Sequence, residues 1–473
     1  MKKLRILFLN PPSLDGRLIN RHIMDPHVSK GAYLYPPYDL LLLSGWFYPS
    51  DKYELRIIDA MAEKKDKEYT ISEIVDWKPD FILAQTAPQS FTLDMEFLSE
   101  LKGHCQSVLF TAGAVEHARR EKILDKYDWL DGILIEPISK DLYNYLEGDA
   151  GPFKTLLIRD KESLEIGRHR EKWFELPACR HDLIDSTLYS YPAMRTDRFT
   201  SILTSYGCPF TCTYCEAPGF KFTKRKPEAV INELELIKRC GIQEVCFKDW
   251  TFAADKKHAN QILDEMIKRN MDISWFTFSR ADVLDRELIR KMKQAGCTTI
   301  QMGVETVNSD ILKIYKRNSD NQMLYDIFTI CREEGVETMG TFILGLPGDK
   351  EEDILRTIDF VLKLNPDYAS FNIVTPLLGS ELRKEWEEKG LIDSDQYEQQ
   401  DSTKAGLNHL GISPTRLIEL RDKAVKKFYF RPQYILRRLL CMRSYAQLKA
   451  HMKTGWSLFK EHLLKPLTNS WSS

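Results

Sequence analysis

Along the first 140 residues, short apolar runs alternate with longer stretches whose apolar positions recur at helical spacing. The runs are "LRILFLN", "ELRIIDA", "DFILAQT", "SVLFTAG" and "DGILIEP". Between them lie "PPYDLLLLSGWF", "TISEIVDW", "SFTLDMEFLSELK" and "AVEHARREKILDKY". Strands apolar on both faces, alternating with helices, predict a parallel sheet covered on each side. Five such units predict a doubly wound α/β domain, with any ligand at the carboxyl ends of its strands.

From Arg198 the same rhythm returns six times. The strands are "FTSILTS", "EVCFKDW", "ISWFTFSR", "TTIQMGV", "ETMGTFILG" and "YASFNIV". Several intervening helices close on glycine (Gly241, Gly296, Gly335), as helix C-termini favour. Six units are too few for an eight-stranded barrel, so the pattern predicts a partial (βα)6 barrel of the TIM type, with its chemistry in the loops after the strands. The expected organisation is a wound domain over 1–142, a linker over 143–197, the barrel over 198–387 and a helical region over 388–473.

Composition changes this picture little. The chain is 43% hydrophobic and 29% charged, with net charge −2, which excludes a chain that is basic throughout. Charge is uneven, however: from Phe430 onward, eight Lys and Arg stand against Glu461 alone. There "FYFRPQYILRRLL" and "LKAHMKTGWSLFKEHLLK" set cations beside Leu, Phe and Trp at helical spacing. Such a tail either touches anionic lipid or packs on the barrel with a solvated cationic face. It carries no nucleic-acid module. No apolar run approaches the ~20 residues of a spanning helix. Seven of the ten cysteines are scattered singly, which predicts free thiols and a cytoplasmic location; the lipid-touching alternative for the tail would make that location peripheral to the inner membrane face.

The other three cysteines fall within eight residues, in "SYGCPFTCTYCEAPGF" after the first barrel strand. Cys208, Cys212 and Cys215 have the spacing C-x3-C-x2-C. Four thiolates would close a structural site, whereas three leave one metal position open. A zinc site completed by His181 or His258, or a redox pair of Cys212 and Cys215, are the alternatives from the residues alone.

With Tyr214 before its last cysteine, this motif resembles the signature of radical S-adenosylmethionine (SAM) enzymes. The resemblance implies that the three thiolates hold a [4Fe–4S] cluster whose fourth iron is chelated by SAM. It also implies an electron donor such as flavodoxin or ferredoxin, and a 5′-deoxyadenosyl radical as the product of SAM cleavage. Over Thr200–Leu382 it assigns Asp249 in "VCFKDWTF" to the SAM amine, Arg280 in "FSRAD" to its carboxylate and Glu305 in "QMGVET" to a ribose hydroxyl. Gly345 and Pro347 in "GTFILGLPGD" would admit the adenine. The chain departs from the family's usual form at Trp250, where a second acid is common, and at Tyr206, where many members carry Arg.

Ahead of such a barrel, "LFLNPPS", "PPYDLLLLSGW", "PDFILAQTA" and "LFTAGA" make the first block similar to the Rossmann-like domain of cobalamin-binding radical SAM enzymes. The resemblance implies a corrinoid near Asn10, Pro11, Ser13, Thr86, Gln89 and Gly113. "DPHVSKG" is one residue too long for the D-x-H-x-x-G motif that ligates cobalt, so His27 is expected to be a loop histidine. Relatives of this kind transfer a methyl group from methylcobalamin to an unactivated carbon, or close or rearrange rings without methyl transfer. Methylation is the expectation. "FLNPPSLDG" and "GTFILGLPG" further resemble the radical SAM proteins of hopanoid biosynthesis, which extends the expected substrates from small molecules to lipid-like ones. A non-catalytic zinc protein is the alternative of another class.

Overall fold

The computed structural model of the chain describes residues 2–31, 33–48, 50–159, 172–397, 401–402, 411–442 and 445–459. The N-terminal sheet is built from β1 (Leu4–Asn10), β2 (Tyr53–Asp59), β3 (Phe81–Gln85), β4 (Val108–Ala112), β5 (Gly132–Leu134) and β6 (Leu156–Ile158), in the order β2-β1-β3-β4-β5-β6. Pairing is parallel as far as β5, and β6 adds antiparallel to β5. The sheet therefore takes in a strand from the stretch expected to be linker, and the boundary at residue 142 falls inside the domain.

Alternation along β1 shows how the domain is wound. Ile6 and Phe8 point to one core, shared with α1 (Tyr38–Ser44). Leu7 and Leu9 point to another, shared with α2 (Lys67–Trp77), α3 (Phe91–His104) and α4 (Ala114–Lys126). A short α5 (Asp141–Leu146) returns to the first face. The order reverses between β1 and β3, so the crevice lies outside Asn10 and Gln85.

The second sheet runs in chain order: β7 (Phe199–Ile202), β8 (Glu244–Phe247), β9 (Ser274–Ser279), β10 (Cys297–Glu305), β11 (Glu337–Leu344) and β12 (Tyr368–Ile373). All neighbours are parallel, and β7 and β12 remain edges, which makes an open partial barrel. Around it lie α6 (Pro227–Arg239), α7 (Lys256–Lys268), α8 (Arg286–Gln294), α9 (Ser309–Ile314), α10 (Asn321–Glu333), α11 (Glu351–Leu364) and α12 (Glu381–Glu388). Asp255, Asp285, Asn308, Asp320 and Ser380 cap five of these helices, each side chain accepting from a first-turn N–H. Three C-terminal helices, α13 (Pro414–Tyr429), α14 (Pro432–Cys441) and α15 (Tyr445–Phe459), follow, with α13 against β12.

The barrel interior is plugged from outside. Tyr191, from the stretch expected to be linker, stacks on Phe276 with centroids 4.2 Å apart, and Tyr35 from the N-terminal domain packs against both. The segment between β1 and α1 thus joins the two domains. Asp25 receives a hydrogen bond from Lys248 at 2.7 Å, Lys30 donates to Phe371 O at 3.0 Å, and Leu34 bridges to Ser190. Arg119 of α4 meets Glu387 of α12 at 2.6 Å. No helix among the described residues is long and apolar enough to cross a membrane.

Candidate functional site

The cysteine loop is pinned at its base by a short antiparallel ladder, Ser205 opposite Lys224 and Tyr206 opposite Thr223. Cys208, Cys212 and Cys215 line one cavity of about 190 Å³ at the carboxyl ends of the barrel strands. Cys208 Sγ lies 3.5 Å from Thr251 Oγ1, and Arg280 Nη1 donates to Cys212 Sγ at 3.2 Å. Burial pushes the Cys208 and Cys215 thiols up, so thiolates at these positions call for a cation between them.

Arg280 lies in the cavity wall. Its guanidinium stacks 3.8 Å from the Phe210 ring centroid and forks onto Asp282 at 2.9 and 2.6 Å. Glu305 is there too, at φ +67°, where the register between β10 and β11 shifts and turns its side chain inward. Arg317 Nη2 stands 3.8 Å from the Glu305 carboxylate and donates to Gly303 O at 2.7 Å. Burial raises the Glu305 pKa, and Arg317 opposes that rise.

Two expected SAM contacts lie elsewhere. Asp249 is buried but is not part of the cavity wall; its carboxylate accepts from Thr204 N at 2.8 Å and Ser205 Oγ at 2.7 Å, and so anchors the start of the cysteine loop. Gly345, at φ +81°, faces Leu417 of α13. Sequence reasoning missed Arg317, Gln301 and Thr341, all in the cavity wall. Alternation along β10 could have found Gln301, since it shares a strand face with Gly303 and Glu305.

A second cavity, of about 340 Å³, adjoins the first and shares Tyr214, Cys215, Phe278, Gln301, Glu305 and Thr341 with it. Its far wall is the interdomain segment, from Asp25 to Tyr35. His27 is in that wall, Nδ1 2.9 Å from Asp25 O and Nε2 3.2 Å from Asn20 Nδ2, so both ring nitrogens are engaged.

The structure brings the six expected corrinoid contacts together at the ends of β1, β3 and β4, but their polar atoms are held within the domain. Asn10 Nδ2 donates to Asp59 at 2.8 Å, while Asn10 Oδ1 and Pro11 O each accept from Arg21 at 2.9 Å. Arg21 also pairs with Asp94 at 2.7 Å. Ser13 donates to Arg17 O, Thr86 to Glu116 and Gln89 to Pro26 O. A Cβ on Gly113 would lie 2.4 Å from Thr86 Oγ1. Tyr206 Oη, Asp39 Oδ1 and His22 Nδ1 are buried without a hydrogen-bond partner. The carboxyls around Tyr206 are Glu136, Asp39 and Glu216. Burial raises Asp39 to about 6, and burial with Asp25 raises Glu216 to about 8.

The profile of the radical SAM superfamily matches residues 202–361. The chain carries a radical SAM domain. Over 452 residues it is 25% identical to the uncharacterized methyltransferase PH0819 of Pyrococcus horikoshii, an alignment covering 92% of this chain and 95% of that protein. To the anaerobic magnesium-protoporphyrin IX monomethyl ester cyclase of Rubrivivax gelatinosus it is 21% identical over 412 residues, 83% of this chain and 72% of the other. The fold is that of the radical S-adenosylmethionine methyltransferase TsrM from Kitasatospora setae, whose structure has cobalamin and a [4Fe-4S] cluster bound: the TM-score is 0.69 at 14% identity, over 98% of this chain and 100% of that one. The radical SAM domain contains the cysteine loop, Arg280 and Glu305, and it makes the chain an enzyme of that superfamily.

The donor set suits a cluster. Zinc–thiolate bonds of ~2.3 Å place tetrahedral sulfurs about 3.8 Å apart. Among the described residues, the three loop thiols do not close to within 4.8 Å of one another. Neither expected zinc histidine is in the cavity wall: His181 is held by Thr200 and Glu233, and His258 by Arg225 O. The unpartnered Tyr206 Oη, Asp39 Oδ1 and His22 Nδ1 likewise suit a ligand rimmed with primary amides, as a corrin is.

Proposed function

We propose that the protein is a cobalamin-dependent radical SAM enzyme that places a methyl group on an unactivated carbon of a small or lipid-like substrate. The observation that carries this reading is the joining of the cysteine cavity to a larger cavity walled by both domains. A substrate there reaches the cluster side and the corrinoid side at once. Bound in these sites, the cluster with SAM supplies a 5′-deoxyadenosyl radical for hydrogen abstraction, and methylcobalamin supplies the methyl group.

The chain's own residues bind and orient. Cys208, Cys212 and Cys215 are the cluster ligands, and Arg280, stacked on Phe210, is placed for the SAM carboxylate. Glu305, braced by Arg317, is placed for a ribose hydroxyl. Asp249 and Gly345 act indirectly, through the cysteine loop and α13. Tyr206, Asp39, Glu136 and Glu216 would accept or donate at the corrin amides. Thr86, Gln89, Gly113, Asn10, Pro11 and Ser13 hold the strand ends behind them. His27, with both ring nitrogens held by Asp25 O and Asn20, would not serve as a cobalt ligand. Two electrons per turnover would come from a donor such as flavodoxin or ferredoxin, one for SAM cleavage and one to ready the corrinoid for its next methyl group.

The test is low-temperature EPR of anaerobically reconstituted protein with cobalamin supplied. The expected result is a reducible [4Fe–4S] signal that shifts on adding SAM, beside a cobalt(II) signal without nitrogen splitting. Cys212→Ala should lose the iron signal and retain cobalamin. Zinc in place of iron would overturn the reading. A second reading, ring closure or rearrangement, is favoured by the alignment with the cyclase over 83% of this chain. Products decide: methylation gives S-adenosylhomocysteine alongside 5′-deoxyadenosine, and ring closure does not require it.

A further inference from the structure

A cavity of about 480 Å³ lies outside the cofactor sites, along edge strand β12 and behind the C-terminal helices. It is within the size range of ligand pockets, about 300–1,000 Å³. At its inner end it shares Lys30, Tyr33, Met339 and Ser370 with the interdomain cavity, which in turn shares Cys215 and Glu305 with the cysteine cavity. Three adjoining cavities therefore lie in a row from the C-terminal helices to the cysteine loop.

The wall chemistry selects an apolar occupant. Phe371, Val425, Phe430, Leu439, Met442 and Leu448 face the space. Its polar side chains are turned into the fold: Arg438 pairs with Glu337 at 3.0 Å and with Asp367 at 3.4 Å, His451 stacks on Tyr368, and Lys30 donates to Phe371 O. A polar ligand would find few groups to replace its water, whereas an alkyl chain gives up nothing.

The mouth of this cavity is apolar on the outside as well. Ile435, Leu439 and Met452 belong to the wall yet are 45%, 55% and 66% exposed. Beside them Leu436, Leu440 and Trp456 are 59%, 77% and 64% exposed, so α14 shows solvent the face opposite its buried Tyr434 and Arg438. Lys449 and Lys453 follow on α15, beside Met452 of the mouth; burial, and after it the charges of Lys64 and Lys449, lower Lys453, and none of the three has a carboxylate partner among the described residues. An apolar helix face fringed with ammonium groups complements an anionic lipid surface.

We propose that α14 and α15 seat the protein on an anionic phospholipid surface, and that the cavity behind them passes the alkyl or isoprenoid chain of a lipid substrate from that surface to the cysteine loop. This rests on reading the cysteine cavity as the reaction site, and it names the substrate class of that site as a lipid with a long apolar chain.

Two measurements on the full chain test it. The first is co-sedimentation with vesicles of phosphatidylglycerol and phosphatidylcholine in equal parts, and with phosphatidylcholine alone. Binding should require phosphatidylglycerol, weaken with salt, and fall by about tenfold or more in the exposed double variant Leu436→Glu, Leu440→Glu. The second is titration with a dansyl-labelled undecanoic acid. Saturable binding is expected, weakened about tenfold by Leu439→Trp, which fills the mouth from a half-exposed position. Absence of vesicle binding, dimerisation through the α14 face abolished by Leu440→Glu, or fatty-acid binding unaffected by Leu439→Trp would each overturn the proposal. Circular dichroism verifies that both variants are folded. Iron and cobalt content separate the two readings. A chain that loads both metals but binds neither vesicles nor fatty acid retains its cofactor chemistry and loses the channel. A chain that binds both but takes up no iron keeps the lipid seat and the apolar cavity and loses the cofactor reading, and with it the substrate assignment.

Discussion

Gly303 stands where two side chains that define the cysteine cavity fold back on the strand that carries them. A Cβ there would lie 2.2 Å from Glu305 Oε1 and 3.0 Å from Arg317 Nη2. No rotamer change at residue 303 can relieve this contact, so Gly303→Ala must displace the Glu305 carboxylate from its place beside Arg317. If Glu305 holds a ribose hydroxyl, one charge-assisted hydrogen bond is lost, worth about 1.5–3 kcal/mol. The expected outcome is SAM binding at least about tenfold weaker by equilibrium dialysis, with iron content unchanged; Glu305→Gln should reproduce it. Unchanged affinity in both variants would remove Glu305 from the SAM site. The cysteines stood out by their spacing and the family resemblance singled out Arg280 and Glu305; the structure lines one cavity with all five. Asp249 was read the same way, yet Thr204 and Ser205, more than 40 residues earlier, claim its carboxylate. Local spacing carries no information about such long-range partners, and Arg317 was hidden for the same reason.

At the scale of elements, the alternation of apolar runs with helical stretches located all six barrel strands, and glycine marked the ends of three helices between them. The short helices α9 and α12 were not foreseen; six and eight residues give too few turns for a 3.6-residue period to show. Strand β6 was hidden for a related reason: its three residues, Leu156–Ile158, add antiparallel from a stretch without a strand-length apolar run. Contacts between distant elements leave still less trace. Gly241 and Gly345 have left-handed backbone of similar φ, +76° and +81°, but a Cβ on Gly241 would meet only Arg198 at 3.8 Å, whereas one on Gly345 would come 2.8 Å from Leu417 of α13. Alanine at either site incurs the left-handed backbone cost of about 1–2 kcal/mol. Only Gly345→Ala should add to it by pushing α13 off β12. Thermal unfolding should therefore show Gly345→Ala as the more destabilising change, and the excess should vanish in a Leu417→Ala background, where the overlapping atoms are gone. Equal effects in both backgrounds would mean that α13 yields freely.

Buried acids of the N-terminal domain give the molecule a pH dependence with a definite sign. Burial raises Asp39 and Asp59 to about 6 and Glu116 to about 7, against an ordinary 3.9–4.3. Between pH 4 and 7 the folded chain then holds more protons than the unfolded one, so these groups stabilise it most below pH 4 and lose that contribution as pH rises through 6 and 7. Glu233 runs the other way: burial opposes its charge, but Arg225 and His181 outweigh it and lower it to about 2, so its contribution is lost only as pH falls below about 4. The protein without cofactors should accordingly be most stable in mildly acid solution. Glu116 is buried and accepts from Thr86, a bond that the amide oxygen of glutamine can also accept. Glu116→Gln removes one proton that the folded state would otherwise shed, so its stability relative to the parent should grow from pH 5 to pH 8 by on the order of 2 kcal/mol in urea unfolding. Cobalamin adds a second arm. If its amides donate to these buried carboxyls, loading favours their charged forms, and the decline of stability between pH 5 and 8 should flatten. A decline unaltered by cobalamin, with the vitamin bound, would place the corrin rim away from these acids. A decline unaltered by Glu116→Gln would show that Glu116 ionises in the folded chain as readily as in water.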